Sequence, residues 1–344
     1  MPRARTALPG VAVAALVAVL ATPGFAASPT PTSSCPPGIG VGLLQIPTDR
    51  ADDPRARAYV IDHVMPGAQL SRTFQVCNGT GAATSVRLYA AAAEVRNGTF
   101  ALDPAEQQND VSRAISVIPG ALSLAKGAIG VATARFAVPR DARSGEQYAV
   151  IYAEVTSTRG GEVVARSRAG IRVYLDIAPG GEQPSDFQID SLTAGRTAAG
   201  LPVVAAAVTN TGARALDLVG ELKLSEGPGA LSAGPFPVTG GTTIGVGQTQ
   251  PVSITLPKQI TGGPWTADLT LRSGLLERDA TAQITFPDAA GATAPPVAAT
   301  PKSFTAEHNV LLPFAAGLIG LLIVLLITVG YLTSRRRARE RTPS

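Results

Sequence analysis

The sequence predicts an all-β chain: two immunoglobulin-like antiparallel β-sandwich domains followed by a single C-terminal transmembrane helix. Three observations carry that expectation. Short segments of alternating apolar and polar residues recur through the middle of the chain with turn residues between them. The pattern breaks at Pro179-Gly180-Gly181 and then starts again, and an apolar stretch at 310–332 is followed at once by a cluster of arginines. Period-two alternation suits a strand with one buried face, and no amphipathic helix of useful length competes with it.

The first set of expected strands lies at 69–76, 86–90, 131–138, 148–156 and 163–177, within a first domain at 38–179. Turn chemistry separates them at Asn78-Gly79, Asn97-Gly98, Arg143-Ser144-Gly145 and Gly160-Gly161. The second set lies at 187–192, 203–209, 216–224, 252–256, 265–271 and 281–286, within a second domain at 182–287. The sets echo one another. Val76-Cys77-Asn78 followed by Gly81 matches Val208-Thr209-Asn210 followed by Gly212, and Pro139-Arg140 with Gly145 matches Pro257-Lys258 with Gly263. The order of these features also agrees, which points to two related domains.

The ends of the chain set the expected location. Arg3 and Arg5 precede an apolar run at 11–20, and Gly24 and Ala26 suit a cleavage site, so 1–26 reads as a secretory signal peptide. A Ser/Thr/Pro-rich arm at 27–37 follows. The stretch at 310–332 is long enough to span a bilayer as a helix, and Arg335, Arg336, Arg337, Arg339 and Arg341 behind it mark a cytoplasmic tail at 333–344. The expectation is a cell-membrane protein with one span and extracytoplasmic domains. An Ala/Pro/Thr linker at 288–309 would lift those domains off the membrane. Leu312-Pro313 continues as Phe314-Ala315-Ala316, so no sortase signal precedes the span.

The formal net charge is +4, but Arg3, Arg5 and the arginine tail more than account for it. The exported region is left slightly acidic, which gives no footprint for a nucleic-acid partner. Cys35 and Cys77 are the only cysteines and both fall in that region, where a disulfide persists, so they are expected to pair.

Catalytic chemistry is not visible. His63 and His308 are the only histidines, too few for a multi-histidine metal centre, and His63 at a strand end reads as solvent-facing. Asp49, Asp52 and Asp53 lack the spacing and glycine of a calcium loop, and Arg50, Arg55 and Arg57 stand ready to neutralise them. Glu94 and Glu154 each sit in an apolar strand, with nothing in the sequence to place them together. No nucleophile elbow, phosphate-binding loop or zinc-protease motif is present. The expectation is a protein without enzymatic activity, cofactor or metal.

The stretch Leu43-Leu44-Gln45-Ile46-Pro47-Thr48-Asp49-Arg50, then Asp53-Pro54-Arg55-Ala56, then Met65-Pro66-Gly67, together with 139–155, resembles the peptidoglycan-binding domain of the WxL-interacting surface-protein family of Gram-positive bacteria. The resemblance covers roughly 38–179. It implies a surface protein that associates with peptidoglycan and with a partner carrying WxL domains, and it implies no enzymatic activity. Trp265 is followed by Thr266-Ala267, so this chain lacks the W-x-L element itself.

If the first domain binds cell wall, the contacts are expected in the irregular segment 47–65, through Asp49, Arg50, Asp52, Asp53, Arg55, Arg57, Tyr59 and His63. Arginines can fork onto stem-peptide carboxylates and a tyrosine can lie against a sugar face. The leading class is thus a cell-surface binding and scaffolding protein. The alternative is a membrane-tethered, chaperone-like assembly factor that lends an edge strand to other exported proteins.

Overall fold

A computed structural model describes residues 35–102, 106–159, 162–238 and 241–302. The expected signal peptide, most of the arm, the apolar stretch at 310–332 and the arginine tail lie outside the described residues. Among the described residues, no helix is long and apolar enough to cross a membrane.

The first sandwich contains β1 (Gly38–Leu43), β2 (Val60–Val64), β3 (Gln69–Gly79), β4 (Thr84–Arg96), β5 (Thr99–Leu102), β6 (Ile115–Ile118), β7 (Ala121–Leu124), β8 (Ile129–Ala137), β9 (Gly145–Arg159) and β10 (Glu162–Ile177). One sheet has the order β1-β3-β8-β6, and the other has β2-β10-β9-β4-β5 with β7 also paired to β4. The chain changes sheets between β1 and β2: β1 runs antiparallel to β3, whereas β2 runs parallel to the end of β10. Alternation explains the core. Ala149, Ile151 and Ala153 of β9 join Ile171, Val173 and Leu175 of β10 against Phe74 and Phe136. Val150 and Tyr152 turn to the opposite face.

The second sandwich contains β11 (Phe187–Arg196), β12 (Pro202–Asn210), β13 (Leu216–Asp217), β14 (Val219–Gly227), β15 (Leu231–Val238), β16 (Thr243–Ile244), β17 (Thr249–Thr255), β18 (Trp265–Ser273), β19 (Leu276–Ile284), β20 (Val297–Ala298) and β21 (Thr300–Pro301). Its sheets run β17-β12-β11-β20 and β15-β14-β18-β19-β21, with β13 and β16 as a separate ribbon. Leu192, Leu222, Trp265 and Phe286 fill its core.

The two sandwiches share a strand order: β1-β3-β8 over β10-β9-β4 corresponds to β11-β12-β17 over β19-β18-β14. The echoed residues occupy equivalent places. Asn78 near the end of β3 donates to the carbonyls of Ala82, Leu124 and Ala125 at 2.8, 3.0 and 3.0 Å. Asn210 at the end of β12 donates to Arg214 and Ile244 at 2.8 and 3.1 Å. Each also accepts a backbone N–H two residues on, at 3.0 Å, so one buried amide closes the turn and ties it to a neighbouring loop. Gly145 and Gly263, at the entries to β9 and β18, have φ of 112° and 115°, which a side chain would oppose.

Two expectations need correction. The segment at 288–309 is not a free linker over its described part. After Phe286 the chain folds back, and β20 pairs with β11 while β21 pairs with β19. Those strands had open edges, and their backbone groups take the returning chain as a partner. Likewise 47–65 is not irregular: it holds a 3-10 turn (Thr48–Arg50), a short helix α1 (Pro54–Ala58) and β2. A second short helix, α2 (Asp110–Arg113), precedes β6. Cys35 and Cys77 are disulfide-bonded with Cα atoms 5.5 Å apart, as their shared compartment anticipates. The bond ties the end of the arm to β3.

Candidate functional site

Two places gather polar chemistry: the junction of the two sandwiches, and the outer edge of β10. The eight candidate residues of 47–65 turn mainly toward the first. Asp53 caps α1 by accepting the Arg55 N–H at 2.8 Å, with Pro54 at the first helical position. That turn directs Arg55 at Asp217 of the second sandwich, 2.9 Å away. Asp217 also accepts from Arg172 at 3.0 Å, Tyr174 at 2.9 Å and Thr243 at 2.7 Å. Tyr59 packs on Tyr174 with ring centroids 5.7 Å apart, and Arg172 stacks over Tyr59 and Phe100. Ile61, Ala93, Phe100, Tyr174 and Ala215 form a small apolar cluster that spans both sandwiches.

A second knot lies beside it. Glu146 accepts from the Ala215 N–H at 2.6 Å and the Tyr148 hydroxyl at 2.9 Å, and Arg214 faces it at 3.6 Å. Burial pushes the Glu146 carboxyl above its ordinary value, against the pull of these donors, and pushes the Arg214 guanidinium down. Glu182 joins Arg214 to Arg50. A backbone bond from the Thr243 N–H to the Gly98 carbonyl, 2.9 Å, completes the seam. Charges paired across a packed apolar cluster make a stiff joint.

The remaining candidates divide. Asp49, Asp52 and Arg57 are exposed, and Arg57 donates to the Ala51 carbonyl at 3.0 Å. His63 is not solvent-facing: its Nδ1 lies 2.9 Å from Asp176 and its Nε2 2.7 Å from the Gly180 carbonyl, because β2 pairs with β10 and sets the ring against the domain boundary. Glu94 pairs with Arg96, while Glu154 binds Tyr89, Arg87 and Arg168, so each carboxylate is satisfied by its own neighbours. Among the described residues, no group of three or more His, Cys, Asp or Glu side chains could hold a metal ion.

The second place was not singled out from the sequence. β10 pairs with β9 over its whole length, but its other edge meets β2 only from Val173 to Ile177. The edge before Val173 has no ladder partner among the described residues. Ala165, Arg166, Ser167, Arg168 and Gly170 there are all exposed. On the outer face a groove of about 570 Å³ lies over the sheet between β10 and β5, walled by Phe100, Leu102, Val150 and Tyr152. Arg166, Arg168 and Arg172 line its rim at every second position, and Gly170 leaves a gap in the row. That arginine-and-glycine alternation was the available signal.

Arg168 is tied to Glu154 at 2.5 Å, and Arg172 to Asp217. Burial opposes ionisation of Glu154, but bonds from Tyr89, Arg168 and Arg87 outweigh it and hold the carboxyl below its ordinary value. The same site pushes the Tyr89 hydroxyl up to about 12, through burial and then the bond to Glu154.

No family model matches the chain, and no curated protein matches it. Among solved structures, the chain is similar to the Escherichia coli chaperone DraB, with 12% identity over 66% of this chain and 95% of that one, at a TM-score of 0.36. It is similar to a Salmonella enterica complex of the pilin SafA with the chaperone SafB, with 10% identity, coverage of 77% and 97%, and a TM-score of 0.37. It is also similar to the Pseudomonas aeruginosa chaperone CupB2, with 11% identity, coverage of 67% and 97%, and a TM-score of 0.35.

Proposed function

We propose that this chain is a non-catalytic extracytoplasmic binding protein that takes an extended segment of another exported protein onto the open edge of β10, as a membrane-tethered assembly factor. One observation carries the reading: a strand whose neighbour β2 covers only Val173 to Ile177 among the described residues, leaving Ala165, Arg166, Ser167, Arg168 and Gly170 exposed at the rim of a groove. Unpaired N–H and C=O groups along such an edge are a template for another chain, and adding a strand is a recurrent mode of peptide recognition. Natural proteins usually blunt an open edge by covering it, as β20 and β21 do for β11 and β19 here. Among the described residues the β10 edge before Val173 is left bare, and the stiff joint next to it holds it in place.

The wall-binding reading implied by the family resemblance has less to support it. Arg55 is engaged at Asp217 and Arg50 at Glu182, which leaves Asp49, Asp52 and Arg57 as its exposed groups. A partner with WxL domains, also implied by that resemblance, would under this proposal be one of the proteins that meets β10.

A photo-cross-linking residue at Ser167 in intact cells tests the reading, with the same residue at Thr133 on the opposite sheet as control. Adducts to extended segments of identified exported proteins are expected at position 167 and not at 133. Equal labelling at both positions, with the protein retained on purified peptidoglycan, would favour wall binding.

A further inference from the structure

The groove beside β10 carries a statement about which segments would fit there, and it rests on the proposed strand capture. Side chains alternate along β10. Ile171 faces the core and Ala169 packs against it, so Arg166, Arg168 and Gly170 share the outer face. A strand added at this edge would set its own alternate side chains beside those three residues.

Each of the three asks for something different. Arg166 is exposed and makes no ion pair among the described residues. Among the described residues Arg168 has one carboxylate partner, Glu154, and its guanidinium lies 5.7 Å from the Tyr152 ring, leaving donors for a second acceptor. Gly170 presents no side chain. A Cβ added there would meet Val150 at 2.7 Å and the Tyr152 ring at 3.3 Å, so those two side chains lean over the glycine and close its site from within. Gly170 itself stays exposed, as does about half of Leu102 on the far wall of the groove. Tyr152, its registered neighbour on β9, covers Gly170 from one side, and an apolar ring on an added strand can cover it from the open side, as aromatic residues do for edge glycines. An added carboxylate opposite an arginine is favoured by both charge and fork geometry.

We propose that the segment captured by β10 carries an aromatic residue opposite Gly170 and acidic residues two and four positions away, opposite Arg168 and Arg166. The occupant is an extended peptide segment of an exported protein, acidic on one face and anchored by one ring. Read along the chain, the pattern is acidic-x-acidic-x-aromatic if the added strand runs parallel to β10 and its reverse if antiparallel.

The test uses the full purified chain and short fluorescent peptides: Thr-Glu-Thr-Glu-Thr-Phe-Thr, its reversed sequence, and versions with Lys for Glu or Ala for Phe. Binding is read by anisotropy, and amide exchange of Ala165 to Arg172 is measured with each peptide. One acidic-aromatic peptide is expected to bind and protect that edge. The Lys and Ala versions should each bind at least about tenfold more weakly, the loss expected of one good charged contact or of one aromatic contact. Arg166→Gln, at a residue without an ion-pair partner among the described residues, should weaken the acidic peptide several-fold and leave the Lys version no weaker. If all versions protect the edge equally, strand capture stands and the side-chain pattern is wrong. If none protects it, both are wrong.

Discussion

The Arg55 guanidinium of the first sandwich lies 2.9 Å from the Asp217 carboxylate of the second, and that carboxylate also holds Arg172, Tyr174 and Thr243. One acid therefore collects four donors from both sides of the joint. Removing it would leave two guanidinium groups and two hydroxyls short of a partner in a largely dry place. Breaking a buried pair from one side costs about 3–5 kcal/mol. Asp217→Ala should lower the melting temperature of the full chain substantially, while Asp217→Asn, which keeps an acceptor, should lower it less. A melting temperature unchanged in both would mean that the joint contributes nothing to stability.

The knot at Glu146 gives the joint a pH dependence with a definite sign. Burial holds this carboxyl above its ordinary value of 4.5, so the folded chain binds the proton more tightly than the unfolded chain does. The favourable contribution is complete below the ordinary value and is lost as pH rises through the raised one. Glu146→Gln keeps an oxygen for the Ala215 N–H and removes the titration. Denaturant melts of the two chains across that window should diverge, with the native chain losing stability relative to the variant as pH rises. Parallel profiles would contradict the assignment.

Asn78 and Asn210 supply matched tests of the internal repeat. Each buried side-chain amide serves at least two carbonyls and one N–H, and a buried group left unpaired costs about 1–3 kcal/mol. Asn78→Ala and Asn210→Ala should each destabilise by a few kcal/mol in denaturant melts. A conservative Ser at either site should recover little, since its hydroxyl cannot span the same partners.

The disulfide is the simplest to check. Reduction, or Cys77→Ala, frees the end of the arm from β3, and a loop of 42 residues closed by a bridge is stabilised by about 2–4 kcal/mol. The melting temperature should fall on reduction of the native chain and stay unchanged on reduction of the variant.

Much of this architecture was legible in the residues. Period two gave β3, β8, β9 and β12 nearly to their ends, because one face of each is buried and the other is not. The repeated Asn and the Pro-to-Gly corners pointed to two related sandwiches because turn geometry depends on a few local residues. The joint was not legible: Arg55 and Asp217 stand 162 positions apart, and nothing local says that two exposed-looking charges will meet. The helix α1 did carry its signal, Asp53 as cap and Pro54 at the first position, but over five residues no period can show. The bare edge of β10 escaped for another reason. Pairing is a property of the neighbouring strand, and whether β2 covers five residues of β10 or all of it cannot be read from β10 itself.

The central claim is that the β10 edge from Ala165 to Arg172 stands open and receives a strand. Amide hydrogen exchange on the full chain, resolved to single residues, addresses it directly. In the free chain, alternate amides from Ala165 to Arg172, those aimed away from β9, should exchange quickly, while those of the flanking central strand from Tyr148 to Glu154 are slow. Adding a peptide that pairs with the edge should slow the fast set and leave the amides of β17 unchanged. Uniform protection of 165–172 in the free chain, or no change with any bound segment, would contradict it.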